Sequence, residues 1–147
     1  MSAMKTIALR FGEHFAPDCG TIAAHQEVID KQGFVWYGKM GTPVSTKVIS
    51  LIANNKPLRI LLIRSGKAER YWATVIDIQH DVPDREYIPE YYRESAEVFK
   101  TWFKVERFDI AEKDVMSQFV VASSGTPLSE VSRHSMSPYF MIEKKDI

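Results

Sequence analysis

Adjacent aromatic residues in short strand-like runs constrain this chain more than anything else in it. All three tryptophans sit beside another aromatic: Phe34-Val35-Trp36-Tyr37, Tyr71-Trp72-Ala73-Thr74-Val75-Ile76 and Thr101-Trp102-Phe103-Lys104-Val105. Neighbouring side chains in a strand point to opposite faces. Trp36 and Tyr37 therefore cannot share one core, nor can Tyr71 and Trp72, nor Trp102 and Phe103. One member of each pair faces the far side of its sheet, toward a helix, a pocket or solvent. Large flat side chains placed this way fill a core or wall a slot for a planar ligand such as a nucleobase.

The remaining segments read as strands and short helices. Lys5 to Phe11 is an opening strand with Ile7, Leu9 and Phe11 on one face. Thr21 as N-cap and Gly33 as stop bracket a helix whose apolar stripe is Ile22, Ala24, His25, Val28 and Ile29. After the strand Phe34 to Lys39, Ser45 caps a second helix carrying Val48, Ile49, Leu51 and Ile52. Leu58 to Arg64 and Arg70 to Gln79 form a hairpin about the turn Ser65-Gly66-Lys67-Ala68. Residues 80–99, with Pro83, Pro89 and many charges, are expected to be a long charged surface loop with a helical turn near Glu90 to Arg93.

Strict alternation in Lys100 to Phe108 sets Trp102, Lys104, Glu106 and Phe108 opposite Phe103, Val105 and Arg107. Strands at Gln118 to Ala122 and Tyr139 to Glu143 flank a short helix, Leu128 to Ser135. This order predicts a single α+β domain over residues 1–147: a curled, barrel-like mixed sheet with flanking helices. A doubly wound parallel fold would need helices between the later strands.

Composition narrows the partners. The 19 basic residues balance 19 acidic ones, which argues against a sequence-blind binder of duplex DNA but not against a grip on one nucleotide. The balance hides a basic stretch, Lys56, Arg59, Arg64, Lys67 and Arg70, followed by an acidic one from Asp77 to Glu97. Two solvated edges explain this pattern, and so does a phosphate-facing hairpin. A single cysteine, Cys19, fits a reducing compartment. The start, Met1 to Lys5, has no long apolar stretch, and no run reaches the length of a membrane span. A cytoplasmic protein that meets no membrane is the expectation.

Catalytic signatures are absent. The spacings of His14, Cys19 and His25 match no zinc pattern, so no metal is expected, and no phosphate loop or dinucleotide fingerprint calls for a cofactor. Ser123-Ser124-Gly125 lacks the glycine of a nucleophile elbow and reads as a turn. Asp77 and His80 have no visible partner for general-base work. The residues favour recognition over catalysis: aromatic walls, a basic hairpin and polar turns at strand ends.

That pattern resembles the PUA-like superfamily, and within it the EVE-type readers of modified bases. The resemblance is carried by the opening strand and helix, then by Phe34-Val35-Trp36-Tyr37-Gly38-Lys39. It continues through the hairpin Leu58 to Gln79 with Tyr71-Trp72-Ala73-Thr74-Val75, and through Trp102-Phe103-Lys104-Val105. The Gly-x-Lys-x-x-Glu-x-Arg run of the ASCH branch is missing. The resemblance implies a pseudo-β-barrel with a pocket between its strands and early helices, binding RNA or a flipped, modified DNA base in an aromatic cage.

The expectation is thus a non-catalytic domain holding a flipped or modified nucleobase of DNA or RNA. Trp36, Tyr37 and Trp72 are the candidate cage walls. Ser65, Ser123 and Ser124 are candidate base-edge partners. Arg10, Lys39, Arg64, Lys67 and Arg70 are candidate phosphate contacts. Two other readings stand beside it. One is a small enzyme acting on a nucleotide or nucleic acid, with His25, Asp77 or His80 as acid or base. The other is a protein-interaction accessory of a defence or mobile-element system, meeting its partner through exposed aromatics.

Overall fold

A computed structural model describes residues 5–11, 18–40, 42–64, 69–134 and 139–144. Strand β1 (Lys5–Phe11) leads to helix α1 (Thr21–Gln32), β2 (Val35–Met40), α2 (Thr46–Ile52) and the hairpin β3 (Leu58–Arg64) and β4 (Arg70–Gln79). Two 3-10 segments, Arg85–Tyr87 and Glu90–Val98, precede β5 (Phe99–Ile110). The chain ends with α3 (Val115–Gln118), β6 (Phe119–Val121), α4 (Leu128–His134) and β7 (Tyr139–Lys144).

The helix ends follow from local chemistry. Gly33 takes a left-handed φ of 89° and its N–H bonds Ile29 O at 2.7 Å, ending α1 as the sequence predicts. Ser45 Oγ accepts from Val48 N at 3.2 Å, the expected cap of α2. At the start of α1 the cap is Gly20, at φ 94°, and not Thr21, which already belongs to the helix.

The seven strands form one mixed sheet in the order β2-β5-β4-β3-β1-β7-β6. Only β1 and β3 run parallel; the other neighbours are antiparallel. The sheet does not close by hydrogen bonding, but it curls. Lys39 Nζ, on β2, lies 4.8 Å from the centroid of the Tyr139 ring on β7. In a flat sheet, five inter-strand steps of about 4.8 Å would separate those strands by roughly 24 Å.

Curling gives the sheet a concave face covered by α1 and α2, where Ile7, Leu9, Val35, Tyr37, Phe103 and Val105 pack. The convex face carries two separate layers. Trp36 and Trp102 lie under the 3-10 segments with Ile88, Tyr92 and Phe99. Trp72 lies under α3 and α4 with Phe119, Val115 and Leu128. The aromatic pairs thus divide between faces as strand geometry requires. Residues 80–99 are not simply a surface loop: Ile88 is fully buried and Tyr92 only 7% exposed, because two outward tryptophans need a cover.

An irregularity in the β4–β5 ladder sets the facing of the far end of β5. Thr74 opposes Arg107 while Val75 opposes Val105, so Glu106 has no partner across the ladder. This bulge shifts the facing of β5 by one residue. Phe108 consequently packs toward the concave core, not beside Trp102 as strict alternation predicts.

Candidate functional site

An open cleft of about 650 Å³ lies where β3 ends and β4 begins, lined there by Arg64 and Glu69. One wall is the first turn of α1, with Thr21, Ile22 and Ala23. The other is the concave face of β4 and β5, where Tyr71 and Phe108 are half-buried. Tyr71 pairs across the ladder with Ile110, which also lines the cleft and is 85% exposed. Without the bulge at Glu106, Phe108 and Ile110 would turn away from this space.

The cleft is amphipathic. Among the described residues no side-chain hydrogen bond caps the start of α1 and its first turn has no acidic residue, while Asp18, two residues before the Gly20 cap, sets one carboxylate in the cleft lining. At the rim, Arg64 Nη1 lies 2.6 Å from Glu69 Oε1, and Arg64 N donates to Glu69 O at 3.1 Å. An anion at this rim competes with Glu69 for the guanidinium. Flat apolar walls, backbone donors and a cation are the components with which a protein holds a planar heterocycle next to phosphate.

A family model described as Pua-like matches residues 7–147. The chain belongs to the PUA-like family. Neither a curated protein nor a solved structure matches it. Membership suggests a nucleic-acid-binding domain in general terms, and the α+β architecture with a curled mixed sheet agrees with that fold. No helix among the described residues of this PUA-like domain is long and apolar enough to cross a membrane.

Within the PUA-like domain the residues selected from the sequence do not converge. Trp36, Tyr37 and Trp72 fall in three different packed clusters and are 7%, 4% and 3% exposed. They do not form a common cage, because Trp36 and Trp72 point convex under different layers while Tyr37 points concave. Lys39 is 6% exposed; its ammonium donates to Thr42 O at 2.7 Å and sits over Tyr139. Burial lowers its pKa. This lysine is inside the fold and not on a phosphate-facing rim.

Arg10 lies over the Phe140 ring at 5.5 Å, on the convex side. Arg70 is half-buried at the start of β4. Ser123 and Ser124 are exposed in the turn after β6, where Ser124 Oγ accepts from Thr126 N at 3.3 Å. None of these lines the cleft. Arg64 does, while Ser65 and Lys67 fall outside the described residues.

The residues considered as acid or base are also held by structural contacts. His25 is fully buried; its Nδ1–H donates to Thr21 O at 2.7 Å, and burial lowers its pKa from 6.5 to about 4. It packs on Tyr37 and Tyr92, with ring centroids 4.9 and 5.0 Å away. Burial and the neighbouring Tyr37 and Tyr91 raise the pKa of Tyr92 well above its usual value. His80 Nε2–H donates to Val44 O at 2.8 Å, and Asp77 Oδ1 accepts from Ile78 N at 2.9 Å. Among the described residues no group of three His, Cys, Asp or Glu could hold a metal ion.

Tyr71, Phe108 and Ile110 are the residues that sequence reasoning left out of the site. Tyr71 was visible as the partner of Trp72: once Trp72 faces one way, Tyr71 faces the other. Phe108 and Ile110 carried no such signal, since their facing depends on the unpaired Glu106.

Proposed function

We propose that this PUA-like domain recognises nucleic acid by holding one flipped or modified base in the cleft between α1 and the β4–β5 ladder. Tyr71 and Phe108 supply one flat aromatic wall, and the first turn of α1 faces it. The first turn of α1 offers backbone N–H groups to the base edge. Arg64, at the rim, stands where a neighbouring phosphate passes. The observation that carries this reading is a cleft with Tyr71 and Phe108 on one wall and Arg64, the last residue of β3, at its rim. Removing a base from its stack costs a few kcal/mol. Stacking on the aromatic wall, at about 1–3 kcal/mol, offsets that cost.

Titration of the protein into labelled single- and double-stranded DNA and RNA, with and without modified bases, tests this. Tyr71→Ala and Phe108→Ala should each weaken binding of the preferred oligonucleotide by about tenfold or more. Trp36→Ala and Trp72→Ala should instead lower thermal stability. If no oligonucleotide binds, or if the two wall variants bind as well as the parent chain, the reading is wrong.

A further inference from the structure

The convex face carries a second cleft, of about 480 Å³, over the start of β3 and the parts of β4 and β5 that lie alongside it. Lys56, Arg59 and Arg107 line it from three places: the approach to β3, β3 itself and β5. Thr74 of β4 contributes a hydroxyl between the two arginines, since it pairs with Arg59 on one side and Arg107 on the other. One carboxylate, Glu106, the bulged residue, faces them.

Arg59 is the side chain of this cleft that the fold fixes most firmly. The guanidinium of Arg59 is held over the Trp72 ring, 4.8 Å from its centroid, and Trp72 is itself almost fully buried. The backbone of Arg59 is fixed from the other side, where Thr6 Oγ1–H donates to its carbonyl at 2.6 Å. Among the described residues neither Lys56 nor Arg59 has a carboxylate within ion-pair distance. Arg107 Nε bonds Asp109 Oδ2 at 2.9 Å, which orients its guanidinium at the side of the cleft. Two planar forks, an ammonium and a hydroxyl around one concavity suit a tetrahedral oxyanion.

The geometry points to a phosphate-binding site in this convex cleft, separate from the concave one. The two clefts lie on opposite faces of one β5 segment. Strand β2 pairs with β5 only as far as Val105, so β5 beyond that point has an edge with no β2 neighbour. A polynucleotide with its base in the concave cleft can round that edge and lay a phosphodiester on Arg107 and Arg59. This polynucleotide route rests on the proposed function. The phosphate chemistry is the same for a free phosphate-bearing ligand.

The test uses the whole chain and follows its amide and arginine Nε–H resonances by NMR, first with inorganic phosphate and then with the oligonucleotide panel. Inorganic phosphate should shift Arg59, Thr74 and Arg107 saturably. Lys56→Gln and Arg59→Gln should weaken that response about threefold to tenfold, and Glu106→Gln should strengthen it. Lys56→Gln leaves the Trp72 contact intact, so its effect is independent of folding. The proposal is overturned if neither phosphate nor any oligonucleotide shifts these residues, or if all three variants respond like the parent.

The arms also separate this site from the nucleobase cleft. An oligonucleotide that shifts Tyr71 and Phe108 but never Arg59, with phosphate silent as well, leaves the base cleft standing and removes the convex site. A phosphate response at Arg59 with no oligonucleotide binding removes the base reading and assigns the convex cleft to a small phosphate ligand.

Discussion

His25 shows how a residue's position in the fold sets its chemistry. It occupies the apolar stripe of α1, and the Thr21 carbonyl keeps the proton on Nδ1. Its folded pKa is depressed from 6.5 to about 4, so the unfolded chain takes up the proton first as pH falls. The stabilisation this gives is complete above pH 6.5 and is lost between 6.5 and about 4, a total of about 3 kcal/mol. His25→Gln removes the titration. The gap in urea-unfolding free energy between the parent and this variant should therefore narrow steadily as pH drops from 7 to 4. A gap independent of pH would show that His25 is not buried as a neutral ring. The stripe was legible in the sequence; the tyrosines that enclose the ring, Tyr91 and Tyr92, come from a segment far along the chain.

At the scale of elements, the 3-10 segments at residues 85–98 act as a lid on the convex side of β2 and β5. Ile88 is fully buried there against Trp36 and Trp102. Ile88→Ala should cost about 2–5 kcal/mol in chemical unfolding, while a true surface loop would tolerate it. Pro83 and Pro89 marked this stretch as irregular, and that much was readable. Its role as a cover was not, because it depends on which faces of β2 and β5 the tryptophans take. The bulge at Glu106 is harder still to foresee. Nothing local in Lys104-Val105-Glu106-Arg107-Phe108 announces it, since the sequence alternates well enough to pass as a regular strand. The bulge bends β5 and increases its local twist against β4.

At the scale of the molecule, the curl of the sheet brings β2 within reach of β7, and Lys39 bridges them. Its ammonium is satisfied by Thr42 O and by the face of Tyr139. Lys39→Ala should destabilise the fold by about 1–3 kcal/mol and leave the salt dependence of oligonucleotide binding unchanged. Loss of roughly one unit from the log–log salt slope would instead make it a phosphate contact. The amino-acid order alone determined the strands, the two early helices, the β3–β4 hairpin and the division of neighbouring aromatic rings between the two sheet faces. Those features arise from periodicity, caps and turn residues, which act over a few positions. Only the tertiary structure decided which rings became core and which line a cleft. That choice depends on sheet curvature, one bulge and a distant covering segment, and their energies arise from contacts between parts of the chain that no local pattern records.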